Sequence, residues 1–298
     1  MAQKTAFITI SGKPNVGKST LLNTLLGEKV AIVSKKPQTT RNRITGILTQ
    51  GENQYVFTDT PGLHKPKNLL GKYMMTVAGN ATTDADIIFF VIDVSSAPVS
   101  DNEKETLKKF VKSNENVFLI INKVDKTNKG VLAKTIASLT EEMEFKAVIP
   151  ISALTGEGVE IILKEVEPLL VESPHFFPDD IYTDQPERQI IAEIIREKIL
   201  RLTEDEIPHG IAVVIEEFKE KKNVLSIRAE IYCEKEAHKR ILIGKNGAML
   251  KKIGTYSRED AEEIFGSKIF LDLWVKVKEN WRDRQSLVNN FGYNDAEN

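Results

Sequence analysis

The sequence predicts two domains of different class. Residues 1–171 read as an α/β domain on a mostly parallel six-stranded sheet with one antiparallel hairpin strand, and residues 188–298 as an α+β domain. Three observations carry this. As far as residue 171, apolar runs of strand length alternate with segments of helical periodicity, the pattern of a sheet covered by helices on both faces. Residues 172–187, ESPHFFPDDIYTDQPE, break that pattern; with three prolines, five acidic residues and no periodicity, they read as an interdomain connector. From Arg188 the pattern restarts in a new order: helix, strand, strand, helix, helix, strand.

Composition narrows the setting. Apolar residues make up 41% and charged residues 28% of the 298 positions, as in ordinary globular proteins. No apolar run approaches the roughly 18–20 residues of a membrane-spanning helix. The opening MAQKTAFITI enters a strand almost at once and leaves no room for a signal peptide. Cys233 is the only cysteine, so no intrachain disulfide can form, and a reducing, cytoplasmic location is the simplest fit. Cys233 lies in an alternating apolar run and reads as a small buried hydrophobe. The four histidines are scattered and form no zinc pattern. A net charge of −2 argues against a wholly basic nucleic-acid binder but permits a local basic patch.

In the first domain, strand-length runs fall at 5–10, 44–49, 54–58, 87–92, 117–121 and 147–151. ITGILTQ and QYVFTDT are separated only by GEN and should form the antiparallel hairpin. The stretch GKPNVGKST, residues 12–20, lies between the first apolar run and the helical LLNTLL. Gly12, Gly17, Lys18 and Ser19 fit the phosphate-loop spacing, and the strand–loop–helix context supports it. The glycines let backbone N–H groups converge on phosphate oxygens, and the following helix adds the positive end of its dipole. Lys18 is a point charge for β- and γ-phosphates, and Ser19 is a hydroxyl ligand suited to Mg²⁺.

Three further motifs fall at strand ends, where ligands of such sheets sit. DTPG places Asp59 within reach of a Mg²⁺ shell and gives Gly62 an N–H free to approach a γ-phosphate. NKVD, Asn122 to Asp125, reads a base: the Asp125 carboxylate accepts from N1–H and the amine of guanine, which adenine cannot offer. A site built around ligand donors rejects analogues that lack them. Asn122 and Lys123 brace that loop. SAL, Ser152 to Leu154, stands one strand further on, where the Ala153 N–H can meet the guanine oxygen.

These four elements in this order resemble the translation-factor class of P-loop GTPases. With Asn15 in the loop and PQTTRNRITG after it, the resemblance is nearest to the Era family of bacterial GTPases, and it covers essentially the whole chain. It implies GTP and GDP as ligands, with Val16 and Thr20 in the nucleotide cradle and Mg²⁺ held by Ser19, Thr40 and Asp59. By position Thr40, rather than Thr39, is the switch threonine, although the residues alone read as an exposed loop. Lys18, Thr40, Gly62 and Asn15 are the implied catalytic set. Where Ras-like GTPases place a water-orienting glutamine, this chain has Leu63, so slow intrinsic hydrolysis is expected. Asn15 carries two readings: a loop-shaping side chain, or a ligand for K⁺ that neutralises charge between the β- and γ-phosphates.

The order of the second domain is that of a type II KH fold, with Gly244-Lys245-Asn246-Gly247 where the clamp for about four nucleotides belongs. Between residues 235 and 252, Lys235, Lys239, Arg240, Lys245, Lys251 and Lys252 face Glu236 alone. Lys239, Gly244, Lys245, Asn246, Gly247 and Lys251 are therefore the candidate RNA contacts. The resemblance supplies the RNA's identity, the 3′ region of small-subunit (16S) ribosomal RNA, and the role, assisting biogenesis of the small (30S) ribosomal subunit. It implies a cytoplasmic monomer and leaves open peripheral contact with the inner membrane. The tail from Glu279 reads as a packed final helix, with Trp281 as its alternative contact to membrane or RNA. The competing function is a membrane-peripheral signalling GTPase whose KH-like domain binds a protein.

Overall fold

A computed structural model describes residues 2–95, 98–204 and 207–294. The alternating runs of the first domain form β1 (Lys4–Gly12), α1 (Lys18–Leu26), β2 (Ile44–Gln50), β3 (Asn53–Asp59), α2 (Leu69–Thr83), β4 (Ile87–Asp93), α3 (Asp101–Ser113), β5 (Val117–Asn122), α4 (Lys129–Thr140), β6 (Ala147–Pro150) and α5 (Val159–Val166). The strand order is β2-β3-β1-β4-β5-β6, parallel except for the β2–β3 hairpin. A seventh strand, the two-residue β7 (Val171–Glu172), pairs antiparallel with the start of β1. Two residues are too few to carry an alternating pattern, so the sequence does not announce it.

β4 is buried along nearly its whole length, which is why IIFFVID reads as a continuous apolar run. Its side chains alternate between two cores. Phe89 and Val91 join Ile8, Ile10, Phe57 and Ile120, while Ile88, Phe90 and Ile92 join Leu107, Leu119, Ile121 and Leu139. Helix α3 starts at a capping box, with Ser100 and Glu103 satisfying each other's backbone N–H groups.

The chain packs as two compact units, and the division is not at the connector alone. The first comprises Met1–Ala31, Thr40–Lys65 and Met74–Asp184; the second comprises Ile32–Thr39, Pro66–Tyr73 and Gln185–Asn298. Most of residues 172–187 therefore sits with the first unit. Gln54 Oε1 accepts from the Phe176 and Phe177 N–H groups, Ile47 N–H donates to Tyr182 O (2.8 Å), and Phe176 meets Phe7 edge to face. His175 Nδ1 lies 2.6 Å from Asp179 Oδ1 and its Nε2 lies 3.1 Å from Glu52 O.

The second unit contains α6 (Glu187–Leu202), β8 (Ala212–Lys221), β9 (Val224–Cys233), α7 (Glu236–Ile243), α8 (Ala248–Phe265), β10 (Lys268–Val277) and α9 (Gln285–Asn290). Its sheet has the order β10-β9-β8, with β9 antiparallel to β8 and parallel to β10. Ile191, Ile194 and Ile199 of α6, Leu242 of α7 and Ile253 of α8 pack with the inward residues of the sheet. Lys222 and Asn223 alone join β8 to β9. The tail packs as expected: Trp281 is fully buried, donates from Nε1 to Gly210 O (2.9 Å) and stacks on Tyr293. Cys233 is buried too, and burial pushes its thiol up to about 11, leaving it inert as a nucleophile. Within the same unit, Arg196 of α6 donates to the carbonyls of Gln38 and Thr39, and Glu197 accepts from the Val33 N–H.

Candidate nucleotide site and RNA loop

Register brings the motifs of the first domain together. Ile10 pairs with Asp59, Gly12 with Val91 and Asp93 with Asn122, so the carboxyl ends of β1, β3, β4 and β5 lie side by side. The phosphate loop leaves β1 at Gly12 and enters α1 at Lys18, with Gly17 in the left-handed conformation at the helix start. Lys18 is buried, and Nζ donates to Gly12 O (3.2 Å) and Lys13 O (3.1 Å). Burial lowers its pKa to about 8, while the nearby Asp59 charge opposes the shift.

Three oxygen-bearing side chains converge beside it. Ser19 Oγ donates to Asp59 Oδ2 (2.5 Å), Thr40 Oγ1 lies 2.9 Å from Ser19 Oγ, and Thr40 also reaches Asp59 Oδ2 (3.2 Å). Burial raises the Asp59 pKa against the pull of Lys18, Ser19, Thr40 and the Thr60 N–H. Asp59 Oδ1 is buried without a hydrogen-bond partner. A carboxylate with an unused oxygen beside two hydroxyls is a donor set that suits a hard cation such as Mg²⁺. Thr39 is excluded from this cluster, because its hydroxyl is held by Lys36 O and Ser34.

Gly62 approaches the phosphate loop so closely that a Cβ there would sit 2.6 Å from Pro14 Cα, so only glycine fits. The next N–H, that of Leu63, donates to Gly12 O (3.0 Å), while the leucine side chain turns into the apolar cluster of Phe90 and Leu107.

Asn122 joins the loops after β5 and β6 to the phosphate loop. Nδ2 donates to Val16 O (2.7 Å), and Oδ1 accepts from the N–H groups of Lys123 (2.8 Å) and Ala153 (2.9 Å). The Ala153 N–H is thus engaged by Asn122, and a guanine oxygen would have to share it. Lys123 Nζ bridges Asn15 O (2.8 Å) and Asp93 Oδ2 (2.5 Å). Asp125, Asn15 and Leu154 are exposed, whereas Ser152 and Val16 are buried. Thr20 is half-buried at the start of α1.

The sequence did not point to several participants. Asp93 anchors Lys123, and the Ser100–Glu103 cap holds Lys13 at 2.7 and 2.6 Å. An acidic residue ending a strand and a helix-capping serine carry no signal of their own; only the strand register brings them to the loop.

In the second unit the Gly244–Gly247 turn separates α7 from α8. Gly244 has φ of 73°, and a Cβ there would lie 2.8 Å from Met249 N. Asn246 is left-handed and Gly247 precedes α8, so the loop lies against that helix's N-terminus. Lys245, Asn246 and Lys251 are exposed, and Lys239 is half-buried. Ile241 and Tyr256 are exposed on the two flanking helices, and Lys252 lies over the Tyr256 ring.

Comparison with known proteins agrees with both regions. The family described as "50S ribosome-binding GTPase" matches residues 7–123 and the KH domain family matches residues 206–282. The GTPase Era of Ruminiclostridium cellulolyticum is 47% identical over all of both chains, and that of Clostridioides difficile is 48% identical over 98% of this chain and 99% of its own. A crystal structure of an Aquifex aeolicus Era variant bound to GDP and AlF4⁻ superposes with a TM-score of 0.93 at 41% identity, covering 98% of this chain and 99% of that one. An Era complex with MgGDPNP and nucleotides 1506–1542 of 16S ribosomal RNA matches to the same extent. Since these likenesses span the whole chain and both of its units, the chain belongs to the Era family of GTPases, enzymes that hydrolyse GTP.

Proposed function

We propose that this GTPase is a switch that binds the 3′ region of small-subunit ribosomal RNA through its GxxG turn and assists biogenesis of the 30S subunit. The observation that carries this is the exposed pair Lys245 and Asn246 on a turn that demands glycine, inside a run of basic residues. The RNA-bound relative supports the choice of RNA. Gly12, Asn15, Val16, Gly17, Lys18, Ser19 and Thr20 cradle the phosphates. Ser19, Thr40 and Asp59 hold Mg²⁺, which supplies charge neutralisation at the β- and γ-phosphates. Asp125 reads guanine, with Asn122, Lys123, Ser152, Ala153 and Leu154 around the base. Asn15 holds K⁺ near the β–γ bridge. Lys239 and Lys251 add phosphate contacts in the RNA.

Coupling follows from chain continuity. Thr40 comes directly after residues 32–39, whose carbonyls at Gln38 and Thr39 accept from Arg196 of α6. A γ-phosphate that fixes Thr40 therefore favours one arrangement of that segment, and RNA affinity changes only if RNA prefers the same arrangement. The protein acts as a cytoplasmic monomer. Trp281, the tail residue offered as a contact to membrane or RNA, is buried. No helix among the described residues is long and apolar enough to cross a membrane.

Titration of labelled single-stranded RNA of the 16S 3′ sequence, with a non-hydrolysable GTP analogue or with GDP, tests both claims. Tighter binding with the analogue is expected. Equal affinity would remove the switch, and absence of binding in both states would remove the RNA assignment.

A further inference from the structure

We propose that the outer face of the β10-β9-β8 sheet is a second seat for single-stranded RNA, in which Phe270 and Trp274 each stack on a base. This rests on the reading of the second unit as an RNA-binding domain. It is separate from the GxxG turn, which joins two helices packed on the opposite face of the sheet. β10 alternates strictly. Ile269, Leu271, Leu273 and Val275 turn inward to the core shared with α6, α7 and α8. The intervening residues turn outward, and there Phe270 is 62% and Trp274 58% exposed. More than half of each aromatic side chain is thus left in water, and a partner that covers it gains apolar burial and ring stacking.

The register sets what surrounds the two rings. Phe270 stands beside Ser226 and Lys219, Asp272 beside Arg228 and Glu217, and Trp274 beside Glu230. Asp272 Oδ2 accepts from Trp274 Nε1 (2.9 Å) and from Arg228 Nε (3.3 Å), which pins the indole by its edge. Lys276 pairs with Glu230, and Lys219 with Glu217. In these three ion pairs the cations are 50–61% exposed and the carboxylates 12–36%. Lys268 and Lys221, in the row beyond Phe270, are exposed as well. The layer that meets solvent is therefore cationic, with the carboxylates shaded beneath it.

That pattern selects the occupant. The buried centre of a protein interface is depleted of charge, yet here a charged row, Asp272 and Arg228, runs between the two rings. A single strand of RNA suits the arrangement: aromatic faces take bases, and the cations between them take the phosphates that join the bases. Phe270 and Trp274 are four residues apart on one strand, about 13 Å, so each ring takes its own base. Every base has a face to stack, so this seat holds the strand without reading its sequence.

Two labelled RNAs of the 16S 3′ sequence separate the two seats in the full chain. One of about four nucleotides fills only the GxxG clamp. One of about twelve runs past it, within the span of a single-strand site. Phe270→Ala and Trp274→Ala should each weaken the longer RNA about fivefold or more, the low end for loss of one stacked base, and leave the shorter within about twofold. Trp281 is buried, so quenching of tryptophan emission by RNA reports on Trp274. The longer RNA should quench it and the shorter should not. Unchanged affinity for the longer RNA in either variant, or the same loss for both RNAs, would overturn the proposal. A fall in sedimenting mass alongside unchanged affinity would overturn it too, by making the face a contact between two copies of the chain. Failure of the shorter RNA to bind the parent would remove the GxxG reading instead, and quenching by the longer RNA would still decide this one.

Discussion

Replacing Asn122 with alanine should unseat the nucleotide site without touching any atom that contacts phosphate. The side chain is 2% exposed and makes three hydrogen bonds, to Val16 O, Lys123 N–H and Ala153 N–H. Truncation leaves all three backbone groups unpaired. Lys123 is half-buried, so its N–H can turn to water, but Val16 and Ala153 are buried. Each buried orphan costs about 1–3 kcal/mol, which makes about 2–6 kcal/mol for the pair. Asn122→Asp should be no better, since it sets a carboxylate oxygen against Val16 O where a donor stood. Urea unfolding followed by circular dichroism measures the loss. Both tryptophans, Trp274 and Trp281, lie in the second unit, so tryptophan fluorescence in the same titration gives an internal control that should barely move. GDP affinity should fall with stability, because the loops carrying Asp125 and Ala153 lose their common anchor. A variant within about 0.5 kcal/mol of the parent, the spread expected of an innocuous substitution, and with unchanged GDP affinity, would refute the bracing role.

Other tests address other links. For His175, burial works against the charged ring, but its hydrogen bonds to Glu52 O and Asp179 outweigh it and the pKa is raised above 6.5. A raised histidine pKa stabilises fully below the unfolded value, and the stabilisation is lost as pH rises through the folded one. Exchange of the Ile47 amide, which donates to Tyr182 O in the connector, should therefore speed up above that folded value beyond the intrinsic effect of pH; a ring titrating by NMR at or below 6.5 would count against this. Lys245→Asp should abolish single-stranded RNA binding and leave GTP binding intact, while Lys251→Ala should lower the salt slope of RNA binding by about one phosphate contact; unchanged RNA affinity in Lys245→Asp would remove the loop assignment. Substituting K⁺ for Na⁺ at fixed ionic strength should speed GTP hydrolysis in the parent but not in Asn15→Ala, and equal parental rates would dismiss the cation. Trp281→Ala should cost the second unit about 3–5 kcal/mol as a buried aromatic truncation, read by urea unfolding, and a small loss would mean the tail is dispensable.

Periodicity made most strands legible, because a central strand covered on both faces must be apolar throughout, as β4 is. Spacing made the phosphate loop legible, because its glycines answer to local backbone geometry and α1 follows immediately. The two-residue β7 and the attachment of the connector were not legible. Both depend on distant partners: β7 on Lys4 and Thr5, and Phe176 and Phe177 on Gln54.

By itself the sequence determined the two fold classes, the glycine-rich loop between β1 and α1, and the GxxG turn between α7 and α8, since each is written in contiguous residues whose local chemistry suffices. Only the tertiary structure decided which threonine joins Ser19 and Asp59. Thr39 and Thr40 are alike in sequence, but one hydroxyl is held by Lys36 and Ser34 and the other meets Ser19 and Asp59. It also decided that Asp93 and the Ser100–Glu103 cap would brace the phosphate-loop region. The reason is the same in each case. A hydrogen bond between residues distant in the chain leaves no mark on local spacing, because strand register and crossover connections, not neighbouring residues, set the distance.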